Sequence, residues 1–267
     1  MPVEIISLVM KADYKQDRAK EKGVSGDFAG LGRWQAGASF AQSEGIMEQA
    51  LVVGASGGIG AAVALALEGR GYGVTRLSRS VDGLDVTDEA SVQTCLERLD
   101  GRFTSVFVAT GALELGPYRP EKSLRAVDPS AFAAQFALNA AGPLLVLKHA
   151  LHLMPRDVPV QFAALSARVG SIGDNHLGGW YGYRAAKAAL NQLIHTAAIE
   201  VARSHPQSVV VTLHPGTVDT NLTRDHRGGH AAMAPAEAAA HLLTVLDELT
   251  PAQTGGFYDW QGKSVPW

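Results

Sequence analysis

Tyr183 and Lys187 stand four positions apart in a stretch of the 267-residue chain whose apolar pattern has a helical period. At that spacing two side chains share one helix face. A free phenol has a pKa of about 10, too high to exchange protons readily at neutral pH. An ammonium beside it favours phenolate and lowers that value. The pair therefore reads as a proton-transfer couple, in which the phenol protonates an oxygen as negative charge develops on it. Taken alone, a Tyr and a Lys at this spacing more often mark a surface pair. The reading depends on what else the chain carries.

Gly54-Ala55-Ser56-Gly57-Gly58-Ile59-Gly60 joins a short apolar run to a stretch rich in Ala and Leu. Glycines there let the backbone turn tightly and approach a pyrophosphate, whose charge sits among the free N–H groups of a helix N-terminus. Gly54, Ser56, Gly58, Ile59 and Gly60 are the expected contacts. The next strand ends in Leu77-Ser78-Arg79-Ser80. NAD enzymes commonly place an acid there to hold the ribose 2′-hydroxyl. Here no carboxylate repels a 2′-phosphate, and an arginine is present to pair with one. Ser78 and Arg79 thus favour NADP(H) over NAD(H).

The elements needed to position these groups are legible along the chain. Ala50–Val53, Gly73–Leu77, a weak segment near Leu84, Ser105–Val108, Val158–Leu165 and Val209–Leu213 read as strands. Gly58–Gly71, Val92–Leu99, Phe132–Met154 (broken only at Gly142-Pro143), Tyr181–Arg203 and Pro235–Leu249 read as helices. Strands alternating with helices imply right-handed βαβ units. The expected fold is α/β: a Rossmann-type doubly wound parallel sheet in one domain, with helices on both faces. Residues 1–46 mix both charge signs with many glycines and show no sustained period. They are expected to be a loosely structured extension, with the domain occupying 47–267.

The motifs together resemble the short-chain dehydrogenase/reductase family. The loop spacing is Gly-x-x-x-Gly-x-Gly, and Tyr183-Arg184-Ala185-Ala186-Lys187 resembles the family's Tyr-x-x-x-Lys. Ser166 lies upstream as its serine does, Asn139 resembles its helix asparagine, and Pro215-Gly216 follows the sixth strand. The ending from Gly256 to Trp267 is similar to that of the small C-factor and sniffer-type carbonyl reductases. There are two departures. The family's Asn-Ala-Gly is Ala109-Thr110-Gly111 here, with Thr110 a candidate to replace some of the asparagine's hydrogen bonding. Ser166 precedes Tyr183 by 17 residues, so Ser171, only 12 away, is a rival.

The resemblance implies carbonyl reduction or alcohol oxidation with NADP(H). Asn139, Ser166, Tyr183 and Lys187 would be catalytic: Ser166 polarising the substrate oxygen, Lys187 also holding the nicotinamide ribose, and Asn139 keeping a water in the proton relay. Asp85 and Val86 would meet the adenine, and Gly111, Pro215, Gly216 and Val218 the rest of the cofactor. Arg168, Trp180 and Arg184 flank the site. His214 either lines the cofactor pocket or is structural. An NADP(H)-binding signalling or sensor protein of the C-factor type is the competing reading, although a sensor needs only the cradle. The net charge of −3 gives no reason to expect nucleic acid. No apolar run is expected to span a membrane, and no residue cluster has metal-binding spacing. A single cysteine, Cys95, fits a reducing, cytoplasmic setting. A homodimer or homotetramer acting on a small carbonyl or alcohol is expected, with residues 217–234 a flap over the site.

Overall fold

The computed structural model describes residues 48–223 and 231–267. The expected extension over 1–46, Met47 and the centre of the expected flap lie outside the described residues. The chain alternates strand and helix: β1 (Gln49–Val53), α1 (Gly58–Gly69), β2 (Gly73–Leu77), the single-turn α2 (Arg79–Asp82), α3 (Glu89–Glu97) and β3 (Phe103–Val108). There follow α4 (Pro129–Phe136), a π turn (Ala137–Ala141), α5 (Gly142–Ala150), β4 (Val160–Leu165), α6 (Tyr181–Ser204), β5 (Ser208–His214), α7 (Pro235–Glu248) and β6 (Phe257–Asp259).

All six strands are parallel, in the order β2-β1-β3-β4-β5-β6. Side chains alternate across each strand. Leu51, Val53, Val106, Val108, Phe162, Ala164 and Val210 pack under α3, α5 and α6. Ala50, Val52, Phe107, Ala163, Val209, Val211 and Leu213 face α1 and α7. The sheet is thus covered on both faces, which is why its strands read as continuous apolar runs. Strand order reverses between β1 and β3, and the crevice beyond their carboxyl ends is where such sheets bind ligands.

Three expectations are corrected here. The segment near Leu84 is no strand. Leu84 and Val86 are buried, but Asp85 between them forms a local turn: its amide donates to Ser91 Oγ at 3.0 Å, and its Oδ1 accepts from the Thr87 amide at 2.9 Å. Pro215-Gly216 consequently follows the fifth strand of this sheet, not a sixth. The C-terminal motif, from which no strand is expected, contains the last strand, β6.

The 25-residue helical stretch Pro129–Leu153, with a mean hydropathy of 1.4 over an 18-residue window, is by length and composition apolar enough to cross a membrane, contrary to expectation. Its Val146, Leu147, Ala150 and Leu153 pack into the core under the sheet, which accounts for its apolarity.

Candidate active site

The loop after β1 is shaped by two close approaches. Gly54 has φ +85°, and a Cβ there would lie 2.8 Å from the carbonyl of Ala109, which follows β3 across the crevice. A Cβ on Gly60 would lie 2.2 Å from Gly54 O, so α1 meets its own loop at a distance only glycine allows. The amides of Gly54 and Ala55 both donate to Leu77 O at the end of β2, at 2.8 and 3.1 Å. α1 then starts at Gly58 with no side-chain cap at Gly57 and no acid in its first turn. Its first amides, on Gly58, Ile59 and Gly60, have no intrahelical acceptors and are open to an anion. Ser56 and Gly58 are exposed beside them, while the Ile59 side chain packs inward.

At the end of β2, Ser78 is buried and Arg79 exposed. One feature overturns the expectation of no carboxylate here. Asp82, at the end of α2, folds back and accepts from the Ser78 amide at 2.7 Å and from Ser78 Oγ at 3.3 Å. The backbone of α2 brings to Ser78 an acid that does not stand in the motif itself. Asp85 is held well below the usual carboxylate range, chiefly by the Thr87 hydroxyl and then the Thr87 amide. Val86 is buried against Gly142, where a Cβ would come within 2.9 Å of Val86 Cγ2.

The fold brings Tyr183, Lys187, Asn139, Gly111 and the turn after Ser166 together. Lys187 Nζ donates to Leu165 O at 2.8 Å and lies 5.8 Å from the centre of the Tyr183 ring. A Cβ on Gly111 would lie 2.8 Å from Asn139 Oδ1 and 3.4 Å from Lys187 Nζ. Gly170, in the turn after Ser166, packs directly on Lys187. Asn139 sits in the π turn between α4 and α5 and is fully buried. Its Nδ2 donates to Ala112 O at 2.9 Å and to Gln135 Oε1 at 2.6 Å, and its Oδ1 accepts from the Ala112 amide at 3.1 Å. Gln135, absent from the sequence reading, completes the clasp by donating to Leu113 O at 2.8 Å.

The two serines differ sharply. Ser171 Oγ accepts from the Asp174 amide at 3.1 Å, closing a turn. Ser166 is buried at the end of β4, and its Oγ has no hydrogen-bond partner. A buried hydroxyl without a partner is costly, and this one is left available to a substrate oxygen. Thr110 Oγ1 is also buried without a partner, so it does not take over hydrogen bonds of the family's asparagine.

Burial sets the electrostatics. Desolvation pushes the Tyr183 phenol above its ordinary value, against the lowering expected from Lys187. The same cause pushes Lys187 down to about 7. Removing water penalises phenolate and ammonium alike, and with Lys187 turned to a carbonyl that penalty decides the direction. His214, at the end of β5, is pushed down to about 4 by burial and then by the charge of Arg168. Arg184 is occupied structurally, its Nε donating to Gly179 O at 3.0 Å. Arg168 is paired with Asp174 at 2.7 Å.

Beyond β5, Gly216 lies under the Trp260 ring and Val218 is buried in a bridge to Met233. Thr220 reaches the start of α1, where a Cβ on Gly58 would be 3.0 Å from its Cγ2. The described part of the segment after Pro215 therefore lies along the cradle. Among the described residues no group of three His, Cys, Asp or Glu side chains is arranged to hold a metal.

Known proteins resemble the chain over most of its length. Residues 54–254 match a family model described as enoyl-(acyl carrier protein) reductase. The chain is 32% identical over 236 residues to 1-hydroxy-2-glutathionyl-2-methyl-3-butene dehydrogenase of Rhodococcus sp. (strain AD45), covering 83% of this chain and 100% of that one. It is 37% identical over 143 residues to the C-signal protein of Myxococcus xanthus, covering 53% of this chain and 81% of that one. Among solved structures, a short-chain dehydrogenase/reductase from Burkholderia multivorans with bound NADP superposes with a TM-score of 0.69 at 27% identity, covering 83% of this chain and 100% of that one.

Proposed function

The chain belongs to the short-chain dehydrogenase/reductase family, and from that premise we propose that it is an NADP(H)-dependent reductase of small carbonyl compounds with Tyr183 as general acid. The observation that carries this reading is the junction of β4 with α6. Leu165 O anchors Lys187, while the next residue, Ser166, keeps a buried hydroxyl free of partners. That hydroxyl stands beside the anchored Lys187, where a substrate oxygen could accept from it.

The residues present fit the cofactor. Gly54 and Gly60 make a cradle that a Cβ would fill, the first amides of α1 face a pyrophosphate, and Arg79 is free to meet a 2′-phosphate. Ser56, Gly58 and Ile59 complete the cradle. Asp85 and Val86 would flank the adenine, and Gly111, Lys187, Pro215, Gly216 and Val218 would hold the nicotinamide half. When bound, the cofactor supplies the hydride.

The chain's own side chains supply the rest. Ser166 Oγ donates to the substrate oxygen and stabilises the charge that grows there, as an oxyanion donor does. Tyr183 gives that oxygen its phenolic proton. Burial holds Tyr183 protonated at neutral pH, so the acid is loaded before the reaction begins. Lys187, pushed down to about 7, exchanges protons near physiological pH and can reload the phenol. Both ends of the Asn139 side chain are spent on Ala112 and Gln135. A relay water at this position would therefore not be held by that side chain.

We extend the same proposal to the whole protein: residues 47–267 suffice for activity, the setting is cytoplasmic, and the assembly is a homodimer or homotetramer. The connections after Gly111, Ser166 and Gly216 select the substrate.

The test is Tyr183→Phe, which keeps the ring and removes the transferable proton. NADPH binding should persist while carbonyl reduction falls about 10²- to 10⁴-fold. Tyr181→Phe, on another face of α6, should remain active. An unaffected rate in Tyr183→Phe would remove Tyr183 as the acid. NADPH binding without turnover across a broad carbonyl panel would leave a sensor.

A further inference from the structure

We propose that Glu121 is a positioning residue for Tyr183, clamping the N-terminus of α6 to the wall of the site; this deepens the assignment of Tyr183 as the acid and rests on it. α6 begins at Tyr181 with Trp180 as its N-cap, and neither a capping side chain nor an acid in the first turn comes from its own sequence. The entrance is unusual. Gly178, Gly179 and Trp180 all have positive φ, and Trp180, at +52°, is the one such non-glycine among the described residues. A tryptophan holds that conformation only where its surroundings fix it.

Glu121 does the fixing twice. Its main-chain oxygen accepts from the Trp180 amide at 2.6 Å, and its Oε2 accepts from the Gly182 amide at 3.1 Å. The side chain is buried, with Glu121 only 5% exposed. Gly182 has no room to spare: a Cβ there would be 2.9 Å from Glu121 Oε1 and 3.1 Å from Phe132 Cδ1. An acceptor at a helix N-terminus satisfies an amide that the helix cannot, and a carboxylate also suits the helix dipole.

Glu121 comes from the connection between β3 and α4. That same connection carries Ala112 and Leu113 to Asn139 and Gln135. Tyr183 directly follows Gly182, and Trp180 packs edge-on against the Tyr183 ring at 6.3 Å. Loosening the clamp therefore moves the phenol first. Lys187 lies one turn further on and is anchored separately by Leu165 O, so the cofactor side is spared.

The experiment compares Glu121→Ala, Glu121→Gln and Gly182→Ala with the parent in steady-state kinetics, NADPH titration and hydrogen exchange of residues 181–187. A displacement near 1 Å in a proton donor costs about 10²-fold. We expect kcat to fall by about that factor in Glu121→Ala, with NADPH affinity within about twofold of the parent. The first amides of α6 should exchange about tenfold faster as the helix end opens. Glu121→Gln keeps an acceptor oxygen at the same reach and should restore both readouts. Gly182→Ala pushes the carboxylate away and should reproduce Glu121→Ala, which decides the matter if that variant does not fold. Parent-like exchange or parent-like kcat in Glu121→Ala would overturn the proposal. So would a Glu121→Gln as slow as Glu121→Ala with its exchange restored, since Glu121 would then act chemically. If the parent reduces no carbonyl yet exchange still responds to Glu121→Ala, the clamp on α6 is upheld and the role of Tyr183 is what fails.

Discussion

Asp82 accepts from the Ser78 amide and hydroxyl at the end of β2, where the ribose 2′-substituent is expected. A carboxylate there opposes a 2′-phosphate, and Arg79 attracts one. Magnitudes decide between them. A charge-assisted contact from Arg79 is worth roughly 1.5–3 kcal/mol. Repulsion between two solvated unit charges about 4 Å apart costs on the order of 1 kcal/mol. The arginine wins, and NADP(H) should be preferred by less than Arg79 alone would give. Asp82→Asn keeps an acceptor for Ser78 without the charge, so it should tighten NADP(H) about fivefold and leave NAD(H) unchanged. Arg79→Ala should weaken NADP(H) by about 10- to 150-fold. Fluorescence titration with both cofactors measures all four values, and an equal effect of either substitution on NAD(H) would mean that it acts through folding. The serines make a second residue-scale comparison. Ser166→Ala should cost about 10²- to 10³-fold in turnover, as loss of an oxyanion donor does. Ser171→Ala should stay active and lose only the turn to Asp174, and the reverse pattern would make Ser171 the substrate contact. Residue types and spacing supplied the candidates. The free hydroxyl of Ser166 and the fold-back of Asp82 were beyond the sequence, because each depends on which neighbour a side chain meets.

Local patterns made the βαβ order legible, since apolar periods and glycine punctuation are written within each element. The misses are where pairing or local hydrogen bonding overrides pattern. Leu84-Asp85-Val86 alternates like a strand, yet Asp85 spends its carboxylate on Thr87 and its amide on Ser91, leading into the Asp88 cap of α3. β6 has only three residues and exists through its register with β5, which no local window contains. The break at Gly142-Pro143 was visible, but not that the helix passes through a π turn carrying Asn139. The cradle was legible because its constraint is steric, and α1 tests it at both ends. Gly60→Ala drives a Cβ into Gly54 O and should lower stability by about 2–3 kcal/mol or more, a strain comparable to overpacking a core, and abolish NADPH binding. Gly69→Ala, the last residue of α1, meets nothing within 4 Å and should raise stability by about 0.4–1 kcal/mol. Thermal unfolding with and without NADPH reads both, and a Gly60→Ala protein that still binds cofactor would mean that the loop can move away.

At the scale of the whole molecule, β1 needs Glu48 before it, whose carbonyl accepts from the Gly73 amide at 2.8 Å. A protein beginning at Met47 keeps that contact and should fold and bind NADPH with parent affinity. Aggregation or weaker binding would make residues 1–46 part of the working protein. Global stability should also carry the signature of the buried site. Lys187 has an ordinary value of 10.5 when unfolded and is pushed down to about 7 in the fold. Between those values the unfolded chain binds a proton that the folded one does not. Unfolding free energy must then rise with pH, by up to about 1.4 kcal/mol per pH unit for one proton. Tyr183 acts in the opposite sense and later: its folded value lies above the ordinary 10.0, so above about pH 10 the unfolded chain loses a proton that the fold retains. His214, pushed down to about 4 from 6.5, adds a rise that is complete by about pH 6.5. The cofactor-free protein should therefore gain stability from pH 7 to about pH 10 and lose it beyond. Denaturant unfolding at intervals from pH 6 to 11 measures the curve. Lys187→Met fills the same space without a charge and should flatten the rise above pH 7 while leaving the His214 portion intact. A rise that persists in Lys187→Met would assign the proton to another group, and a parent protein that weakens from pH 7 to 9 would show Lys187 to be charged in the fold.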